Sequence, residues 1–243
     1  MEKKQKLIGV VSLLIFALGI TLALVIAVGI VWGDFEAALF DPGISADSTL
    51  RGFRCPVAIT THEVGKISAT LKNSTDRDKS FYVRAHITEG YVLFKREINM
   101  QVPVAAGDKE QISWEIYPED AVYHRLVLFR VYVNASYPDP SRGNLCGVLV
   151  VDFPGLTGGQ LFILSVALSL AAVIGGRYFW RKSNPNINSK NAKSVSSAIT
   201  GLAFMVYFTM LIGYLGLWIF GVLLVAITVL MIGVILGRFV FAI

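Results

Sequence analysis

Residues 194–237 run 44 positions without an acidic, basic or histidine side chain. As one α-helix that stretch would be about 66 Å long, roughly twice the ~30 Å hydrocarbon core of a bilayer. It is too apolar for a soluble linker and too long to cross once, so it must fold back on itself. Gly213-Tyr214-Leu215-Gly216 offers the turn, and Trp218 stands at the same interface. The expected spans are 198–214 and 217–237, with Arg238 closing the second.

Two further apolar stretches have spanning length. Residues 7–32 carry no charge and follow Lys3, Lys4 and Lys6. A cleaved signal peptide has an apolar region of about 7–15 residues and a small-x-small site. This run is longer and meets no such site before Asp34 and Glu36, so a retained span is expected. The other span, 156–180, ends among Arg177, Tyr178, Phe179, Trp180, Arg181 and Lys182, an aromatic and basic edge of the kind found at headgroups. Composition agrees: 54% of residues are hydrophobic and 16% charged, against about a quarter charged in soluble domains. An ordinary soluble enzyme and a disordered chain are both excluded.

The formal net charge of +5 divides by segment. Residues 33–158 hold 16 of the 17 acids and 13 of the 22 bases, while the remainder holds nine bases and one acid, Glu2. The excess cations flank the spans instead of covering a folded surface, so nucleic acid is not an expected partner. With four spans, the lysines of 1–6, the basic loop 181–197 and Arg238 in 238–243 share one side. The positive-inside rule makes that side cytoplasmic and puts 33–155 outside, in a plasma or inner membrane.

The outer segment changes its period. In 66–72, Ile67, Ala69 and Leu71 alternate with Lys66, Ser68, Thr70 and Lys72. In 81–88, Phe81, Val83, Ala85 and Ile87 face one way and Tyr82, Arg84, His86 and Thr88 the other. Ile112, Trp114 and Ile116 repeat the pattern, as do Val127, Phe129, Val131 and Val133. Alternation of period two, cut by turns such as Ala106-Gly107-Asp108 and Pro138-Asp139-Pro140, predicts half-buried strands. The expected fold class is a membrane protein with four transmembrane α-helices and one extracytoplasmic all-β sandwich of about seven strands.

The stretches VGKISATLKNSTDRDKSFYVRAHITEG, VPVAAGDKEQISWEI and RLVLFRVYVNAS, within 64–136, carry a resemblance. Their order resembles the immunoglobulin-like and fibronectin type III-like sandwiches of the CARDB kind, with Trp114 in the place of the buried aromatic that follows a glycine-containing turn. That resemblance spans roughly 70 residues and implies adhesion or scaffolding rather than catalysis. It does not extend to the four spans.

Cys55 and Cys146 both fall in the outer segment. An even count in an oxidising compartment favours a disulfide, with two buried thiols as the alternative. Two sequons open at Asn73 and Asn134, the first in a predicted accessible turn, and would accept glycans in a eukaryote. His62, His86 and His124 lie on separate predicted strands or strand ends. They have no ligand spacing and no phosphate loop accompanies them, so neither enzyme, metal nor cofactor is expected. Small residues recur at four-residue spacing: Gly19, Ala23, Ala27; Ala167, Ala171, Gly175; Gly233, Gly237. Such faces let helices approach closely, either within this bundle or against a partner.

The function these features favour is a non-enzymatic accessory or structural subunit of a larger membrane complex. Its contacts would be other membrane-protein subunits and the lipid bilayer. A surface adhesion or receptor-like protein is the alternative. A small self-associated channel lined by Ser165, Ser169, Thr200 and Thr209 is a third reading.

Overall fold

A computed structural model describes residues 2–43, 46–90, 94–134, 140–183 and 190–241. The chain divides into a β unit, Trp32–Leu161, and a helical unit, Met1–Val31 with Phe162–Ile243.

Alternating side chains make the β unit. Gly65–Lys72 (β3) and Lys109–Ile116 (β6) form a two-stranded antiparallel sheet. The larger sheet is built from Ser48–Thr49 (β1), Ala58–Thr60 (β2), Lys79–Glu89 (β4), Phe94–Val104 (β5), Leu126–Asn134 (β7) and Arg142–Val151 (β8). Its order is β1-β8-β7-β4-β5, and β2 also pairs with β8. Because β1 and β2 run parallel to β8, this sheet is mixed. The inward residues of both sheets close one core: Ile67 and Leu71, Ile112 and Trp114, Phe81 and Val83, Phe129 and Val131. Trp114 lies 5.1 Å from Phe129, which Phe53 stacks at 6.1 Å. Each such apolar side chain contributes about 1.5–3 kcal/mol by leaving water.

The unit is not purely β. Residues 33–39, expected to open the strand domain, continue the first helix, Glu2–Leu39 (α1), without a break. Phe35, Ala37, Ala38 and Leu39 keep the chain helical past Asp34 and Glu36, the acids that suggested a boundary.

The helical unit adds Gly158–Ser183 (α2), Lys190–Tyr214 (α3) and Trp218–Phe241 (α4). Four helices among the described residues are long and apolar enough to cross a membrane: Leu7–Leu39, Gly158–Ser183, Ser196–Tyr214 and Trp218–Ile235. The turn between α3 and α4 holds Gly216 at φ +73, a left-handed conformation that glycine adopts without strain. Phe16, Ile20, Ala23, Val173 and Val206 form the buried centre of this unit. Ser169 Oγ donates to the Gly19 carbonyl at 2.8 Å and lies 2.7 Å from the Tyr207 hydroxyl. Thr200, Thr209 and Thr228 donate to carbonyls one turn back in their own helices, a common way for a hydroxyl to be satisfied in lipid.

Candidate functional site

The end of α1 lies on the outer face of the larger sheet, and small size makes that possible. A Cβ at Gly147 would fall on the backbone of Gly33. With both glycines present, Asp34 Oδ1 accepts the Gly147 N–H at 3.2 Å. Ala37 and Phe40 then pack on Val122 and Leu128. Arg130 donates to the carbonyls of Ala38 at 3.2 Å and Phe40 at 3.1 Å, capping the negative end of the helix. Burial holds the Arg130 guanidinium below its usual pKa.

Beyond the helix, Asp41 sits at φ +47, uncommon for a non-glycine residue. Its Oδ2 lies 2.6 Å from His86 Nδ1 and accepts from Lys95 Nζ at 2.7 Å. The Lys95 hydrogen bond, aided by His86, pulls the Asp41 carboxyl below its ordinary 3.8. His86 is 2% exposed, and its Nε2 is 3.4 Å from Glu97 Oε2. Glu97 in turn accepts from Asn99 at 2.8 Å and lies 3.3 Å from Arg84, and the Asn99 bond is the main reason its carboxyl is held low. With its imidazole walled off from solvent, His86 joins the post-helix segment to β4 and β5 and presents no open face to a substrate. Sequence reasoning passed over Asp41, 45 positions away; only the outward phase of His86 on β4 hinted at a role.

A second polar cluster closes the 3₁₀ turn Pro118–Asp120. Arg96 donates to Asp120 Oδ2 at 2.8 Å, and the same oxygen accepts the Tyr117 N–H at 2.8 Å. Burial raises the Asp120 carboxyl despite these partners. His62 lies 3.9 Å from Asp152 with both side chains mostly exposed. Tyr123 and His124 occupy a turn at φ +54 and +56. No group of three or more His, Cys, Asp or Glu side chains converges as metal ligands among the described residues.

The first turn of α2 is capped twice. Thr157 and Gln160 form a reciprocal box, with each side chain taking the other's backbone N–H. The Glu63 carboxylate accepts the Gly158 N–H at 3.0 and 3.1 Å. A carboxylate here is favoured by the positive end of the helix dipole.

Cys55 and Cys146 form a disulfide-capable pair, their Cα atoms 6.5 Å apart. Cys146 belongs to β8, while Cys55 adjoins Arg54, which bridges to Ser68 of β3, so the pair connects the two sheets. Asn73 is 1% exposed rather than on an accessible turn. Its amide nitrogen donates to the carbonyls of Arg77, Val104 and Ala105, and its Oδ1 accepts from Thr75. That amide is part of the fold and offers no nitrogen for a glycan. Asn134 is exposed at the end of β7, and the rest of its sequon, 135–136, lies outside the described residues, as does 138–139 of the Pro-Asp-Pro turn.

The small-residue faces part ways. Ala23 and Ala27 are fully buried, and a Cβ on Gly19 would meet Ala172, Ser169 and Val173 at about 3 Å. On α2 the packed positions are Ser169, Val173 and Gly176, with Gly176 against the backbone of Ser12 and Phe16. Ala167 and Ala171 are exposed instead, and a Cβ on Gly175, Gly233 or Gly237 would meet nothing within 4 Å. Lys66 of β3 and Gln111, Ser113 and Glu115 of β6 are exposed, as is the alternate face of β5.

No protein-family model matches the chain, and no curated protein matches it. Among solved structures, the chain is similar to the CARDB domain of a Pyrococcus furiosus protein crystallised with di-metal ions, at 14% identity and TM-score 0.34, over 44% of this chain and 89% of that domain. It is also similar to a Listeria innocua β-glucosidase in complex with glucose, at 15% identity and TM-score 0.31, over 45% of this chain and 16% of the enzyme. A third is a Paenibacillus cycloisomaltooligosaccharide glucanotransferase, at 10% identity and TM-score 0.33, over 45% of this chain and 15% of that one.

Proposed function

We propose that this chain is a non-enzymatic accessory subunit of a larger membrane assembly, with both termini cytoplasmic and residues 33–155 extracytoplasmic. The observation that carries the reading is the second face of α2. One face, through Ser169, Val173 and Gly176, packs inside the chain's own bundle; the other keeps Ala167, Ala171 and Gly175 open at four-residue spacing. An open small-residue face on an apolar helix suits close approach by another transmembrane helix. The flanking cations support the orientation.

The test is affinity purification of the tagged chain from its native membrane in mild detergent, with a photo-cross-linking residue at Ala171. Stoichiometric membrane subunits cross-linked at that position would support the reading, and a clean single species without cross-links would sink it. The exposed polar face of β6 favours a second reading, adhesion through the β unit. Binding of the whole protein, in vesicles, to cells or glycans would favour that reading instead. Three of the four hydroxyls that a channel path would need already bond within or between helices.

A further inference from the structure

We infer that the cleft where α1, α2 and α3 meet is a binding site for one anionic phospholipid, with its headgroup phosphate on Arg177. The cleft is a shallow groove open to the helix surface, with about 10 Å³ of enclosed space, and is lined by Leu13, Phe16, Arg177, Trp180, Ser196 and Ile199. Its position follows from Gly176. Without a side chain there, α2 lies against the backbone of Ser12 and Phe16, and the next residue, Arg177, arrives at the three-helix junction.

Depth fits as well. Arg177 is 19 residues beyond Gly158, the start of α2, which is about 29 Å of helix and close to one hydrocarbon thickness. A guanidinium at that depth reaches headgroups while Leu13, Phe16 and Ile199 offer an acyl chain an apolar wall. The charge balance selects the lipid. The helical unit, Met1–Val31 and Phe162–Ile243, holds nine bases and a single acid, Glu2. No ion pair to Arg177 occurs among the described residues. A guanidinium takes a phosphate through two parallel hydrogen bonds, and a unit this basic disfavours the ammonium of a zwitterionic headgroup. This inference is independent of any partner subunit.

The experiment is native mass spectrometry of the detergent-purified whole protein, titrated with dioleoylphosphatidylglycerol, dioleoylphosphatidylcholine or inorganic phosphate. A one-to-one phosphatidylglycerol adduct is expected, weakened about fivefold or more by Arg177→Gln, in line with a single cation's contribution at a membrane surface. Arg181→Gln, which removes an equal charge outside the cleft, should leave the adduct unchanged. Leu13→Trp, which fills the cleft without changing charge, should abolish it, and decides the matter if Arg177→Gln fails to fold. Equal binding of phosphatidylcholine, equal loss in Arg181→Gln, an adduct that survives Leu13→Trp, or competition by inorganic phosphate at the same site would each overturn the proposal.

Discussion

Asn73 and Asp41 are polar side chains whose work lies inside the fold. The Asn73 amide joins the carbonyls of Arg77, Val104 and Ala105, bracing the β3–β4 turn against the end of β5. Removing it leaves buried carbonyls without donors, at about 1–3 kcal/mol. Asn73→Ala should therefore lower stability by about 2–3 kcal/mol and Asn73→Asp by more, since a carboxylate would face three acceptors. Asn134→Ala, at an exposed position, should stay within about 0.5 kcal/mol of the parent; thermal unfolding of the whole chain in detergent measures all three. At Asp41 the sign of the pH effect follows from its lowered carboxyl. A depressed acid adds stability that is present above its unfolded value and lost as pH falls through the folded one. Asp41→Asn should cost about 1–2 kcal/mol at pH 6, and the gap to the parent should narrow as pH falls below about 3.8 toward the lower folded value. A gap that did not narrow at all below pH 3.8 would mean that the contact does not depend on the charge. Asp120 works with opposite sign: burial raises it, so its contribution is greatest below its unfolded value and declines as pH rises to the folded one.

Neighbouring glycines on α2 separate what an element does within the chain from what it leaves free. A methyl at Gly176 would meet the Phe16 nitrogen and Ser12 oxygen at 2.7 and 2.8 Å, backbone atoms that cannot step aside. Gly176→Ala should destabilise by about 1–3 kcal/mol through overpacking. Gly175→Ala, with open space around it, should be neutral or gain up to about 1 kcal/mol of helix propensity. Melting temperatures of the two variants check this, and equal losses would contradict the assigned packing face. The sequence could not say which face packs, because α2 carries two candidate sets, Ala167/Ala171/Gly175 and Ser169/Val173/Gly176, and only the neighbouring helices choose between them. Strand legibility followed burial. β3 and β6 have one face in the core and alternate cleanly, whereas on β4 and β7 the outer-face residues His86, Thr88 and Leu128 are buried as well. β5, an edge strand, alternates too, with Ile98, Met100, Val102 and Val104 turned inward, but it opens on Lys95, Arg96 and Glu97 and carries Pro103, residues that read as edge or loop. β1 and β2, at two and three residues, are too short to have a period. The His86–Asp41 contact was invisible because tertiary folding alone unites residues 45 apart.

For the molecule as a whole, Cys55 and Cys146 bear on both stability and compartment. A link across 91 positions encloses nearly all of the β unit, from before β2 to the middle of β8. The smaller sheet has only two strands and is held to the larger one by side-chain packing, so a covalent tie near Arg54 and Ser68 limits their separation. Loop-closure entropy puts the stabilisation at about 3–5 kcal/mol. The double variant Cys55→Ser, Cys146→Ser should lose about that much, and the parent treated with reductant should lose the same. Thiol labelling of the protein denatured without reductant reads the pairing directly. No label is expected, and two labels after reduction. The consequence reaches the orientation, because disulfides persist in oxidising compartments and are rare in the cytosol. A paired parent would agree with the proposed orientation, which the basic residues of the termini, the end of α2 and the start of α3 also support. Two free thiols in protein from its native membrane would remove the stabilisation and leave the cations alone to support that orientation.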